Sequence, residues 1–261
     1  MNKAIAITLY RRPDYTEQLF DALSKCYGIE EYNVSISCDY AEQYGSDCDA
    51  VFQMALEFTH STPLRGSHVW SNNPRLGVDL NKLAVMPDAF EISPYVIFLE
   101  DDTPPAKDAL RYFEAMRVMF RTDPTIVSIS GYNRYLEAEE HERVLRDEPY
   151  HIDRGTQFCA WGWAMFEDMY TSIIGMDGEK YKKATGEQAN GLFDHNICQW
   201  MEAHQPAYTI YPVLGRTNHT GKDRAEHTPS EVYLMENEYA PFTAASQDMP
   251  DCKGVNWIRK W

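Results

Sequence analysis

The sequence predicts an α/β fold in which a mostly parallel sheet is covered by helices on both faces, and three observations carry that reading. Strand-like and helix-like periodicities alternate through the first half of the chain. Residues 95–99, Tyr-Val-Ile-Phe-Leu, are apolar or aromatic at every position, as in a central strand buried on both faces. Three carboxylates, Glu100, Asp101 and Asp102, close that run before Pro104 and Pro105 stop it, so acids collect at a strand's carboxyl end, where open α/β sheets bind ligands.

The elements follow in order. Residues 4–9 form a short apolar strand. Asp14-Tyr-Thr-Glu17 opens a helix with Leu19, Phe20 and Leu23 on one face, and Val34, Ile36 and Cys38 alternate as a second strand whose polar residues are Ser35, Ser37 and Asp39. Residues 49–58 read as a helix through Val51, Phe52, Ala55 and Leu56, residues 68–70 as a strand, and residues 81–90 as another helix ahead of the acid-bearing strand. Pro105 starts a helix through Leu110, Phe113, Met116 and Phe120, proline being favoured at a first helical position. Residues 125–130 form a further strand, ended by Gly131.

Beyond Gly131 the alternation breaks down. Residues 136–147 are densely charged, which reads as a solvated helix or a surface loop. In Trp161-Gly-Trp-Ala164 a glycine between two tryptophans lets backbone pass close to something flat, with core packing as the competing role for both indoles. Residues 191–204 give a helix with Phe193, Ile197, Trp200, Met201 and His204 on one stripe, and Asp194 at its head is an N-terminal cap if it is nothing more. Residues 207–211 are strand-like. A polar, turn-rich loop follows to Lys222, with the single His219, a residue that in a loop is more often hydrogen-bonded or solvated than a ligand. The tail at 253–261 mixes basic and aromatic residues, is too short for an interfacial helix, and is expected to dock on the protein's own core.

Composition narrows the function. The chain has 261 residues, within the range of one large α/β domain, and carries 40 acidic against 24 basic residues, net −16. That balance argues against nucleic acid and against an anionic membrane as partners. Six cysteines without a Cys-x-x-Cys, no signal-peptide pattern and no run of ~20 apolar residues point to a soluble, cytoplasmic protein with reduced thiols. Neither a Gly-x-Gly-x-x-Gly nor a Walker loop is present, so the usual phosphate-cradling turns are absent. The acid cluster offers hard oxygen ligands suited to Mg²⁺ or Mn²⁺, against the plainer reading of a solvated acidic turn.

Together, the Leu-Glu-Asp-Asp strand end, the Trp-Gly-Trp-Ala segment about sixty residues later, an Asp heading an aromatic helix, and the loop Asn218-His-Thr-Gly221 resemble glycosyltransferases of the GT-A fold. The likeness is to bacterial sugar transferases with a Trp-Gly-Trp-Ala segment and, more remotely, to the N-acetylglucosaminyltransferase I family with its Glu-Asp-Asp motif. It spans residues 3 to 225 as separated motifs. The resemblance implies a single GT-A domain, with residues 1–131 as the nucleotide-sugar half and 132–261 as the acceptor and catalytic half. It implies Mn²⁺ or Mg²⁺ held by Asp102 and His219 beneath a nucleoside diphosphate sugar, with a uridine donor favoured. Glu100 and Asp101 shape that site, Asp39 meets the base, and Arg11 and Arg12 begin the nucleotide-binding loop. Trp161 joins the donor-binding set, and Lys222 or Arg216 is available to a phosphate. Asp194 matches the base that deprotonates a glycan or other acceptor hydroxyl in inverting members.

The sequence departs from that pattern in two respects. No membrane anchor or lumenal disulfide pattern appears, and Met165-Phe166 stands where the bacterial segment continues Thr-Trp. The implied chemistry needs the leaving diphosphate neutralised, a base against the acceptor, and water kept out, which gives residues 136–148 a role as a lid or leaves them a surface loop. Three alternatives stay open. A nucleotidyltransferase would show a Gly-rich basic loop where this chain has Tyr10-Arg-Arg-Pro13, and a phosphohydrolase would want an acidic nucleophile where it has Thr8-Leu9-Tyr10. A non-catalytic nucleotide- or carbohydrate-binding protein would keep the acid cluster without needing Asp194.

Overall fold

The computed structural model describes residues 2–133, 141–174, 193–221 and 251–261. Its strands are β1 (Lys3–Leu9), β2 (Tyr32–Asp39), β3 (Gly66–Asn72), β4 (Tyr95–Glu100), β5 (Ile126–Ser130), β6 (His151–Gly155), β7 (Trp163–Phe166), β8 (Tyr208–Pro212) and β9 (Ile258–Arg259). The described helices are α1 (Pro13–Ser24), α2 (Gly45–Ser61), α3 (Val78–Ile92), α4 (Ala109–Phe120), α5 (His141–Asp147), α6 (Glu167–Ile173) and α7 (Phe193–Ala203).

These strands form one nine-stranded sheet in the order β3-β2-β1-β4-β7-β5-β8-β6-β9. The fold is α/β and mostly parallel, as the alternation of periods requires: β1 runs parallel to β2 and β4, β2 to β3, β5 to β8, and β6 to β9. The exceptions are β7, inserted antiparallel between β4 and β5, and β6, antiparallel to β8. Neither β6 nor β7 is marked in the sequence, because each is defined by distant partners rather than by its own period.

Successive side chains of a strand point to opposite faces, and here both faces are covered. Ile5, Ile7 and Leu9 of β1 and Ile97 and Leu99 of β4 pack with Leu19, Leu23, Val51 and Phe113 of α1, α2 and α4. Ala4, Ala6, Val96 and Phe98 face the other way, onto Val85, Met86 and Ala89 of α3 and Phe193 and Ile197 of α7. Burying the acid-bearing strand on two sides is what drives its carboxylates to the sheet's end.

The helix expected to begin at Pro105 begins at Ala109 instead. Pro105 pairs with Thr217 in an isolated antiparallel bridge, so tertiary pairing overrides its preference for a helix start. Of the charged stretch, residues 136–140 lie outside the described residues. The helix that follows buries Val144 against Val213 and Leu214. The tail docks on the core as its sequence suggests, with Trp257 buried edge-on to Tyr112 and Tyr150, and β9 completing the sheet edge. The six cysteines are free thiols, and no helix among the described residues is long and apolar enough to cross a membrane.

Arg216 has a structural task. Its side chain is fully buried, with Nε donating to Asp108 Oδ2 at 2.9 Å and Nη2 donating to the Pro149 carbonyl at 2.6 Å. It is therefore committed to the core rather than to a phosphate. Arg216→Met is expected to cost about 3–5 kcal/mol in urea unfolding, because it strands the buried Asp108 carboxylate. A loss below about 1 kcal/mol would show that the pair is dispensable.

Candidate functional site

The register of the parallel strands brings the polar residues to one edge. Thr8 of β1 is paired with Ser37 of β2 and with Glu100 of β4, so Arg12, Asp39 and the acid cluster all emerge just beyond one level of the sheet. Because β7 runs the opposite way, its first residue, Trp163, lies opposite Phe98 and Ser130 and carries Trp161 and Gly162 to the same edge. The loop after β8, parallel to β5, arrives there too.

Close backbone approach fixes this assembly. Residues 216–221 are stitched on one side to the acid turn, through Asn218 N–H on the Pro104 carbonyl and Thr220 N–H on the Asp102 carbonyl. On the other side Thr217 N–H donates to Gly131, and Thr217 Oγ donates to the Trp161 carbonyl at 2.7 Å. Gly162 has φ +72°, and a Cβ there would come within 2.5 Å of the Thr217 methyl. A side chain is excluded from that position both by backbone and by space. A Cβ on Gly221 would overlap Asp102 Oδ2. The glycines of the Trp-Gly-Trp and Asn-His-x-Gly segments are thus contact points between loops.

Asp102 and His219 come together. His219 Nε2 is 3.7 Å from Asp102 Oδ2, and both side chains are buried. The imidazole lies flat on Trp161, ring centroids 4.1 Å apart and planes 4° apart, which fixes its plane. Asp102 Oδ1 is buried and accepts no hydrogen bond among the described residues. Burial pushes the Asp102 carboxyl up, but Arg12 and His219 outweigh it and hold it below the usual range. No group of three His, Cys, Asp or Glu side chains able to hold a metal is found among the described residues. A hard divalent cation needs only one or two protein ligands when water and phosphate complete its shell, and an unsatisfied carboxylate oxygen beside a fixed imidazole fits that requirement.

Arg12 reaches both aspartates. Its Nη1 is 2.9 Å from Asp102 Oδ2, its Nε donates to Asp101 Oδ2 at 3.0 Å, and Nη2 donates to Asp101 Oδ1. Even so, burial raises Asp101 to about 6 against the opposing pull of Arg12. Glu100 rises further, to about 7, because burial and the neighbouring Asp102 and Asp194 outweigh its ion pair with Lys82.

Lys82, on α3, is the residue that sequence reasoning missed. Its buried Nζ lies 2.9 Å from Glu100 Oε1 and 3.9 Å from Asp194 Oδ1. Burial works against its charge, but Glu100 and Asp194 hold its pKa above the ordinary range. The available signal was a polar pair, Asn81-Lys82, directly before the apolar run Leu83-Ala-Val-Met86.

Asp194 sits in the first turn of α7, yet the N–H of Phe193 at that helix start donates to Asp79 Oδ2 at 3.2 Å. Asp194 Oδ1 accepts no hydrogen bond among the described residues, and the side chain is 49% exposed. Asp39 is differently placed. Its carboxylate accepts from Gly77 N–H at 2.8 Å, Leu76 N–H at 3.2 Å and Asn72 Nδ2 at 3.2 Å, pinning the loop before α3, and burial raises its pKa. Ser35 and Ser37 are fully buried and bonded to Asp88 and Asn72, so they are part of the α3 interface, not of an open polar face. Arg11 stacks on Tyr44, 3.9 Å from the ring centroid. Lys222 lies outside the described residues.

No family model matches the chain. Among solved structures it is similar to S. aureus TarS residues 1–349 in complex with UDP, at 12% identity and TM-score 0.52, over 81% of this chain and 60% of that one. Against a longer S. aureus TarS structure the identity is 13% and the TM-score 0.51, over 81% of this chain and 36% of that one. The mannosyltransferase PcManGT from Pyrobaculum calidifontis, in complex with GDP-Man and Mn²⁺, matches more loosely, at 15% identity and TM-score 0.46 over 67% of this chain and 47% of its own. The chain thus spans about a third to three fifths of the two TarS structures, and what it shares with them is the fold.

Gly221→Ala tests the loop contact. Overpacking against Asp102 is expected to cost about 1–3 kcal/mol in chemical unfolding. An unchanged stability would show that the 216–221 loop shifts freely away from the acid turn.

Proposed function

We propose that the protein is a glycosyltransferase that moves a sugar from a nucleoside diphosphate donor, with a uridine nucleotide favoured, to an acceptor hydroxyl on a glycan or similar molecule, with inversion. The observation that carries this reading is the convergence, at the carboxyl edge of the sheet, of a half-satisfied Asp102 beside His219 with a half-exposed Asp194 whose Oδ1 accepts no hydrogen bond among the described residues. A fold shared with TarS bound to UDP supports the nucleotide class.

In this reading Asp102 and His219 would hold Mn²⁺ or Mg²⁺. That ion, when bound, neutralises charge on the leaving diphosphate. Trp161 keeps the imidazole plane fixed, so His219 presents its nitrogen without searching rotamers. Arg12 supplies a guanidinium fork within reach of a diphosphate. Asp194, freed from capping by Asp79, takes the proton from the acceptor hydroxyl as its oxygen attacks the anomeric carbon from the face opposite the diphosphate. The C–O bond to the leaving oxygen breaks as the new one forms, which inverts the configuration. Lys82, between Glu100 and Asp194, places a positive charge 3.9 Å from the carboxylate proposed as the base.

Two variants test the assignment. Asp102→Asn is expected to abolish the Mn²⁺-dependent part of UDP binding while the melting temperature holds. Calorimetry showing equal UDP affinity with and without Mn²⁺ on the unaltered chain would remove Asp102 from this role. Asp194→Asn is expected to leave donor binding and melting temperature in place while transfer falls by about two orders of magnitude or more. Near-native transfer by that variant, or a product retaining the donor's anomeric configuration, would return Asp194 to a structural role.

A further inference from the structure

Arg12 and the divalent cation assigned to this edge claim the same carboxylate. The guanidinium spans Asp101 and Asp102 at once, its planar fork presenting Nη2 to one carboxylate and Nη1 to the other. Asp102 is left with Oδ2 held by a resident cation and Oδ1 buried without a hydrogen bond among the described residues. A doubly charged ion on Oδ1 would stand within a few ångströms of that guanidinium, and like charges at such range in a buried site repel strongly.

The backbone of Arg12 is fixed, since its carbonyl accepts the Thr16 N–H at 3.0 Å and Pro13 follows as the first residue of α1. Its side chain is long, and its guanidinium carbon lies 5.1 Å from the Tyr15 ring centroid, a cation–π contact that the head can give up by turning about its terminal torsions while the backbone stays fixed. An incoming diphosphate is the natural new partner, because guanidinium pairs with phosphate in the same two-pronged way as with carboxylate.

Resting on the reading that this edge binds a nucleoside diphosphate with a divalent cation, we propose that Arg12 is an exchangeable counter-ion. It neutralises Asp102 in the empty protein, gives up that carboxylate when the cation binds, and turns onto the diphosphate that accompanies it. Asp101 retains its pairing with the Nε side of the fork, so the head pivots instead of leaving. Cation and nucleotide then bind as a pair: each relieves a cost that the other would meet alone, and by linkage each tightens the other by the same factor.

Calorimetry with Mn²⁺ alone, UDP alone and both together, on the unaltered chain and on Arg12→Gln, reads this directly. In the unaltered chain Mn²⁺ alone is expected to bind weakly and to be tightened about tenfold or more by UDP. In Arg12→Gln, Mn²⁺ alone should bind about tenfold more tightly, and most of the tightening by UDP should be lost. Mn²⁺ binding no tighter in the variant overturns the proposal, whatever the nucleotide does. If Arg12→Gln does not fold, Arg12→Met carries the same test, since it keeps an apolar stem but not the charge: tighter Mn²⁺ binding supports the exchange and unchanged binding overturns it. A chain that binds no nucleotide under any condition would sink the proposed function instead, and the Mn²⁺ comparison would still decide the role of Arg12.

Discussion

An apolar strand that ends in three carboxylates carries acids into protein, and a carboxylate taken from water must either hold a proton or find a counter-charge. Both outcomes occur at this sheet edge. Burial raises Glu100 to about 7 and Asp101 to about 6, while Asp102 is held low by Arg12 and His219. The two cations that make the cluster tolerable come from elsewhere in the chain, Arg12 from the turn after β1 and Lys82 from α3. Where α1 begins and how α3 lies across the sheet are therefore electrostatic requirements of the acid strand as well as packing choices.

The same requirement explains the crowding of backbone around the cluster. A loop that carries His219 against Asp102 must run between the acid turn and the end of β5, and it does so with Thr217 wedged against Gly131 and Gly162 and with Gly221 against Asp102 itself. Side chains larger than hydrogen at those glycines would push the strands' ends apart. The Arg216–Asp108 pair anchors the start of this loop from beneath, fully out of solvent. His219 is thus held by Trp161 above and by a loop with little freedom below.

Lys82 gives the edge its continuity. It contacts Glu100, at the end of the acid strand, and approaches Asp194, at the head of α7, from a helix packed in the same core cluster as β4 and α7. Asp79, one turn earlier on α3, satisfies the first N–H of α7. One face of α3 therefore sets both where α7 starts and what charge surrounds Asp194, and so links the proposed donor and acceptor sides of the reaction.

The sequence by itself determined the elements and the edge. Periodicity marked β1, β2, β4, β5, β8 and most helices because burial on one or two faces leaves a one-dimensional trace, and the acids after Leu99 declared their place because a buried strand can release charge only at its end. It could not determine β6 and β7, the start of α4, or the antiparallel insertion, since each is set by partners thirty or more residues away. Nor could it show that Arg216 belongs to Asp108, that Asp39 pins Gly77 and Leu76, or that Lys82 stands between Glu100 and Asp194. Which charge faces which is fixed only when the chain closes on itself, because the Coulomb energy and desolvation that decide those pairings depend on distance in space and on burial, and neither is written in the order of residues.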